Sequence, residues 1–149
     1  MRLWHKYLIP YLPKQQLLGQ WRECCCIARN IAVNGTPNHI LVNKIMDYPM
    51  SHFINYSGEV ARVMINRDYQ IDFKKFTKHF DDKIINECEN LSMHQIFEHW
   101  HNDRYLCQCL YNLQEKYDCG GITEEEWNLI YNKFKEQIQH LKCQKISYN

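Results

Sequence analysis

A chain of 149 residues, 45% hydrophobic and 23% charged with a formal charge of +1, has the composition of one folded domain. It is too apolar for a disordered segment, and no stretch approaches the roughly 20 consecutive apolar residues that cross a bilayer. Near-neutral charge also weighs against a protein that grips nucleic acid with its whole surface, since each neutralised phosphate calls for a cation.

Five glycines and four prolines among many apolar residues at helical spacing predict an all-α fold, one multi-helix domain over residues 1–149. Eight cysteines raise the question of disulfides or metal. Cys24, Cys25 and Cys26 are adjacent and Cys107 and Cys109 lie two apart, so neither group has the two-residue gap of paired zinc ligands. His99, His101 and Asp103 form no better ligand set. The opening residues carry charge and no long apolar run, as a secretory signal would need. The expectation is reduced thiols in a reducing cytoplasm, no metal, no cofactor and no membrane association.

The first predicted helix is entered at Leu12 and Pro13, proline being suited to a first turn. At about 100° per residue, Leu17, Trp21, Cys24, Ala28 and Ile31 share a buried face. Gln15, Gly19, Arg22, Glu23, Cys26 and Arg29 gather on the other, and two arginines, an amide and one carboxylate together compose a polar site. Thr36 and Pro37 predict the N-cap and first residue of a helix over 36–48, ended by Pro49, with His39 at its start. Phe53, Tyr56, Val60, Val63 and Met64 predict a helix over 51–67, with Gly58 at a close contact. Asp72 is a candidate cap for a short helix holding Phe73 and Phe76.

Residues 81–100 are the hardest to read, one helix followed by a loop rich in His94, His99, Trp100 and His101. Asn102 predicts the cap of a helix carrying Leu106, Leu110, Leu113 and Tyr117, closed by Gly120 and Gly121. Thr123 and Glu126 form a capping box before a final helix with Trp127, Ile130, Phe134 and Ile138 on its apolar face. Trp4, Trp21, Trp100 and Trp127 are expected in the core or as stacking surfaces.

Charge is regional. Through Arg29 the chain holds Arg2, Lys6, Lys14, Arg22 and Arg29 against Glu23 alone, while carboxylates collect over residues 81–98 and 124–126. A basic face on a neutral body fits a modest nucleic-acid footprint, or a small nucleotide.

Arg2, Gln15, Gln16, Arg22 and Glu23 fill the places of a pattern that resembles the pyrimidine-dimer DNA glycosylase family, the small all-helical endonuclease V type of phages and bacteria. The resemblance takes in His39 to Asn43, Tyr69 to Asp72 and His101 to Leu113, and fades beyond Tyr117. It implies a glycosylase with associated AP-lyase activity, working through a Schiff base at an amino terminus, on pyrimidine dimers or another damaged or modified base. An α-amine suits such chemistry, its reference pKa being near 8 against about 10.4 for a lysine side chain. On this reading Met1 is the nucleophile, and Glu23 stabilises the charge on the sugar and shuttles the proton for elimination. Arg2 and Arg22 hold phosphates, Gln15 reads or wedges a base, and Gln16, Arg29 and His39 complete the binding set.

The chain departs from the family in three respects. Arg2 stands where members with established chemistry expose a small residue as the new terminus, so the nucleophile falls to Met1. Cys26 replaces a phosphate-binding arginine and Gln16 a histidine, and an acidic start, Thr123 to Glu126, stands in place of an aromatic, basic tail. Two other readings stay open. In one the polar face binds a nucleotide or nucleic acid without chemistry, Glu23 pairing with a nearby arginine and Met1 being an ordinary terminus. In the other a glycosidase acts on a free or signalling nucleotide. A monomer is expected in each case.

Overall fold

The computed structural model describes residues 1–142, and among them every regular element is helical, with no strand. The helices are α1 (Lys14–Asn34), α2 (Met50–Asn66), α3 (Lys74–Thr77), α4 (Asp82–Asn86), α5 (Asp103–Asp118), α6 (Glu124–Lys133) and α7 (Lys135–Lys142). Short 3-10 helices occupy Lys6–Tyr11 and Asn43–Asp47. No helix among the described residues is long and apolar enough to cross a membrane.

Pro13 stands at the N-cap of α1, and Gly35 ends it in the left-handed region (φ 75°), its N–H bonding back to the Ile31 carbonyl. Along α1 the side chains of Leu17, Trp21, Cys24, Ile27 and Ala28 are buried, largely against α2 and α3. Trp21 stacks on Phe73 at 5.9 Å between centroids, and Phe53 of α2 meets Phe76 of α3 edge-on at 5.4 Å. Burial pushes the Cys24 thiol up to about 12, so it packs as a neutral, inert group. The described cysteines are all free thiols.

The N-terminal segment is built into this core. Leu3, Trp4, His5, Lys6, Leu8, Ile9 and Leu12 are buried, and side chains from three helices pair with the backbone between them. Tyr56 of α2 donates to the Trp4 carbonyl at 2.5 Å, and Tyr105 of α5 donates to the Leu3 carbonyl. Arg67, just after α2, donates to the carbonyls of Leu12 (2.7 Å) and Pro10 (2.8 Å). A buried chain outside a sheet needs such partners, because an unmatched peptide group costs about 1–3 kcal/mol.

Glu126 fastens a second junction. It closes the capping box with Thr123 at the start of α6 and accepts the Lys14 N–H at 2.7 Å, so one carboxylate serves the first turns of α6 and α1. Burial works against its charge, but the hydrogen bonds from Lys14 and Thr123 outweigh that and hold the carboxyl below its ordinary range.

Three sequence expectations need correction. Residues 36–42 are not helical, and only Asn43–Asp47 forms a 3-10 turn. Thr36 Oγ1 does accept an N–H two residues on, from Asn38, but Asn38 is left-handed (φ 58°) and Asn43 Oδ1 takes the His39 N–H, closing a compact loop instead. The final helix breaks at Phe134 (φ −117°, ψ 32°), whose ring packs edge-on against Tyr11 at 5.6 Å; α7 continues along α5. Gly58 makes no close contact, since a Cβ there would meet nothing within 4 Å. Asn102 caps α5 as expected, accepting the Tyr105 N–H, whereas the N-cap of α3 is Phe73, and Asp72 accepts the Lys74 N–H from the turn before it.

Candidate active site

Gln16, Gln20 and Glu23 follow one another at i, i+4 and i+7, which sets them in a stripe along α1. The stripe is the border between the buried and solvated faces. Gln20 is 1% exposed, Gln16 and Glu23 are half-buried, and the N-terminal segment lies along them.

Gln20 holds that segment in register. Its Oε1 accepts the Trp4 N–H at 2.7 Å and lies 3.1 Å from the Tyr56 hydroxyl, whose proton goes to the Trp4 carbonyl, and its Nε2 donates to the Arg2 carbonyl at 3.0 Å. One amide thus satisfies two of the backbone groups of residues 2–4 that face α1. Glu23, one turn on, accepts the Arg2 N–H at 3.1 Å. The α-amine of Met1 precedes that N–H by a single residue, about 3.8 Å of chain. The residue bonded to Glu23 is thus the neighbour of Met1, which is 38% exposed.

Arg2 turns the other way. Its guanidinium lies 5.4 Å from the Trp4 ring and 3.9 Å from Cys109 Sγ, a thiol that burial keeps neutral. It forms one wall of a cleft of about 620 Å³, with Lys44, Arg104, Trp100, Tyr105, Tyr111 and the amides Asn102, Gln108 and Asn112 around it. Ile40 and Leu41 stand at the rim, and no carboxylate lines the cleft.

Beneath the segment lies a closed histidine pair. The His5 and His101 rings are 5.2 Å apart and both are buried. His101 Nδ1 accepts the Lys6 N–H at 3.0 Å, while its Nε2 has no hydrogen-bond partner among rings of Tyr56, Phe97, Trp100 and Tyr105. Burial lowers His5 to about 4 and holds His101 well below the ordinary histidine value, so both are neutral at physiological pH. Lys6 gives its ammonium to the carbonyls of His94 (2.8 Å) and Ile96 (2.7 Å), which ties the 87–102 loop to the segment.

The structure sets the Arg2 backbone against Glu23 and Gln20, with Met1 the residue before it. Gln16 is on the same stripe with its Oε1 buried and unpartnered. Gln15, Arg22 and Arg29 are exposed along α1, Gln15 two turns before Glu23. The Arg22 guanidinium folds over Gly19, where an added Cβ would sit 3.9 Å from it in ordinary contact, so the glycine is not required there. His39 is spent on its loop: its Nδ1 accepts the Leu41 N–H, and it does not line the cleft. His101 is buried in the core. Among the described residues no His, Cys, Asp and Glu cluster could hold a metal. Gln20 was detectable in principle, as the residue one turn from both Gln16 and Glu23.

A sequence profile described as pyrimidine dimer DNA glycosylase matches residues 1–77, the segment from Met1 through α3 that carries the Met1, Arg2, Gln20 and Glu23 constellation. No curated protein and no solved structure gave a significant match. With just over half of its length matched, the chain belongs to the pyrimidine dimer DNA glycosylase family.

Proposed function

We propose that this chain is a DNA N-glycosylase with associated AP-lyase activity, acting on pyrimidine dimers or another damaged or modified base. The observation that carries the reading is the Arg2 N–H to Glu23 hydrogen bond, which fixes the chain terminus beside the one carboxylate of α1. The α-amine of Met1 attacks C1′ of the deoxyribose. A C1′–N bond forms as the glycosidic bond breaks, its electron pair leaving with the base, which takes up a proton. Glu23 offsets the positive charge that builds on the sugar. Opening of the sugar ring turns the adduct into an iminium. Loss of a C2′ proton to Glu23 then expels the 3′ phosphate, and water releases the amine. Arg2 and Arg22 hold phosphates on either side, with Gln15, Gln16, Arg29 and His39 as further candidates for contact along α1 and its following loop.

Borohydride tests the chemistry, because it reduces the iminium to a stable amine. Wild-type protein mixed with abasic and dimer-bearing duplexes should give a covalent complex, and peptide mapping should place the adduct on Met1. Acetylating the terminus, or adding one residue before it, should abolish trapping while leaving thermal stability unchanged, since reacting atoms must approach to about 3–3.5 Å. Glu23→Gln should keep DNA binding and lower turnover by at least about 100-fold. Failure to trap any lesion, or trapping indifferent to a blocked terminus, overturns the mechanism.

The near-neutral charge favours a second reading, a glycosidase for a free nucleotide seated in the cleft. Duplex binding weakens steeply with salt and a small-nucleotide site does not, so the salt slope decides between them.

A further inference from the structure

Lys6 occupies a place suited to leucine or methionine. It is 3% exposed, on a segment whose other buried members are mostly apolar. No carboxylate among the described residues comes within ion-pair distance of it, and Glu98 acts on it only from further away. A buried ammonium without a paired anion is costly unless its protons find acceptors. Here they find two, the carbonyls of His94 (2.8 Å) and Ile96 (2.7 Å), with the Tyr7 ring 5.3 Å from Nζ.

The loop that supplies those carbonyls is strained just beyond them. Phe97 (φ 50°) and His99 (φ 72°) both stand in the left-handed region, where a side chain crowds the following carbonyl. Neither is a glycine, so the surroundings must hold them there. Three neutral ties do part of this: Tyr48 donates to the Glu98 carbonyl (2.6 Å), Asn102 donates to the His99 carbonyl (2.8 Å), and His52 Nδ1 accepts the Phe97 N–H (3.0 Å). The charged tie comes from Lys6, and charge-assisted hydrogen bonds are the stronger kind. The loop then delivers Trp100 and Asn102 to the cleft that Arg2 also lines. Arg2 is four residues before Lys6, so one side chain joins the backbone that carries the terminus to the backbone that carries the cleft wall. The Lys6 N–H, donated to His101 Nδ1 at 3.0 Å, is a second joint between the same two stretches.

We propose that Lys6 is a positioning residue: through the charge at Nζ it holds the 94–99 backbone in its strained form and so keeps the cleft wall at Trp100 and Asn102 in register with the amino terminus. The effect on rate rests on the glycosylase reading; the hold itself does not. Hydrogen exchange measures the hold without any chemistry. Lys6→Met keeps the length and the apolar stem but leaves two carbonyls without a donor. Exchange at the amides of Phe97, Trp100 and His101 should quicken about 10- to 100-fold more than at those of α2. Single-turnover cleavage of an abasic duplex at saturating DNA should slow about 10- to 100-fold, with affinity within about 3-fold of wild type. Arg2 and Arg22 still hold phosphates in that variant, while the reacting groups lose their alignment. Glycine takes a φ of 72° freely, so Lys6→Met/His99→Gly should regain at least about 5-fold in both measurements. A lysine that only filled space would gain nothing from a change at residue 99.

Unchanged exchange in Lys6→Met overturns the hold. Faster exchange with an unchanged cleavage rate, from a wild type that cleaves, confines Lys6 to stability and overturns positioning. A double variant no better than Lys6→Met overturns the strained loop as the thing held. If wild type neither cleaves nor traps, the reaction is overturned and exchange alone decides the hold. Should Lys6→Met fail to fold, Lys6→Gln, whose neutral amide still donates, carries the same comparisons.

Discussion

Acid should loosen this protein before it protonates its carboxylates, and the cause is the buried His5. Its folded pKa is about 4, against 6.5 for an unfolded histidine. The unfolded chain therefore binds the proton first as the pH drops, so stability is complete above about 6.5 and is lost as the pH falls towards 4. The two values differ by about 2.5 units and pH 5 lies about 1.5 units below the unfolded one, so about 2 kcal/mol is lost there relative to pH 8. That is a large share of the roughly 5–15 kcal/mol that holds a domain of this kind together. His101 is lowered in the same sense by burial and by the neighbouring His5, so the pair steepens the slope. The measurement is urea unfolding at pH 8, 7, 6 and 5, for wild type and for His5→Gln. His52 and His79 also titrate low, through partial burial, and contribute to the raw slope. The difference between the two proteins removes the His52 and His79 contributions and leaves His5 together with its effect on His101. His5→Gln should be destabilised at pH 8, where it loses packing and the bond from the Tyr7 N–H, and that deficit should shrink by about 2 kcal/mol at pH 5. A deficit that stays constant with pH would refute the argument, because it would mean that His5 takes up its proton as readily folded as unfolded.

Gln20→Leu should destabilise by about 2–3 kcal/mol, since it strands the Trp4 N–H and the Arg2 carbonyl in the interior; calorimetry measures this. Under the proposed reaction it should also cut turnover more than DNA binding, because it frees the segment that holds the terminus at Glu23. Glu126→Gln should cost about 1 kcal/mol at pH 7 by weakening two helix starts. Its carboxyl titrates below the ordinary range, so the stabilisation is present above the unfolded value near 4.5 and disappears as the pH falls through the folded one. Wild type and variant should converge once the pH has dropped below that folded value, and a cost that persisted there would remove the charge from the explanation.

Local signals carried much of the fold into the sequence. The capping residues Asn102 and Thr123 and the helical spacing in α2 each act within a few residues, and each appears in the structure. Thr36 and Pro37 misled because a threonine hydroxyl that caps a helix also closes a turn, and what decides between them is a left-handed Asn38 and a side chain at Asn43. The break at Phe134 depends on Tyr11, more than a hundred residues away, so no window of sequence contains it. The site divides in the same way. Glu23 was visible as the only carboxylate of a basic stretch, but Gln20 sits at the border of a helical wheel, where side chains of either face are tolerated. The cleft was invisible, since its walls at 40–44 and 100–112 meet only in the folded chain.

A terminus is the least ordered part of most chains, which makes it a poor place for a nucleophile unless something restrains it. Fixing each backbone residue costs about 1–2 kcal/mol, so the ordering of residues 2–12 has to be met by contacts formed on folding. Here those contacts come from side chains reaching in from α1, α2 and α5, at Gln20, Tyr56 and Tyr105, together with seven buried residues of the segment itself. The cost of positioning the amine is thus met when the protein folds rather than when DNA binds. Under the proposed mechanism this converts core packing into effective concentration at C1′, where alignment of reacting groups is worth about 7–11 kcal/mol of barrier at best. Residues that never touch the substrate then govern rate through placement: loosening Tyr105 or Gln20 lets the terminus drift, and a drift of about 1 Å is enough to lose about 100-fold in turnover.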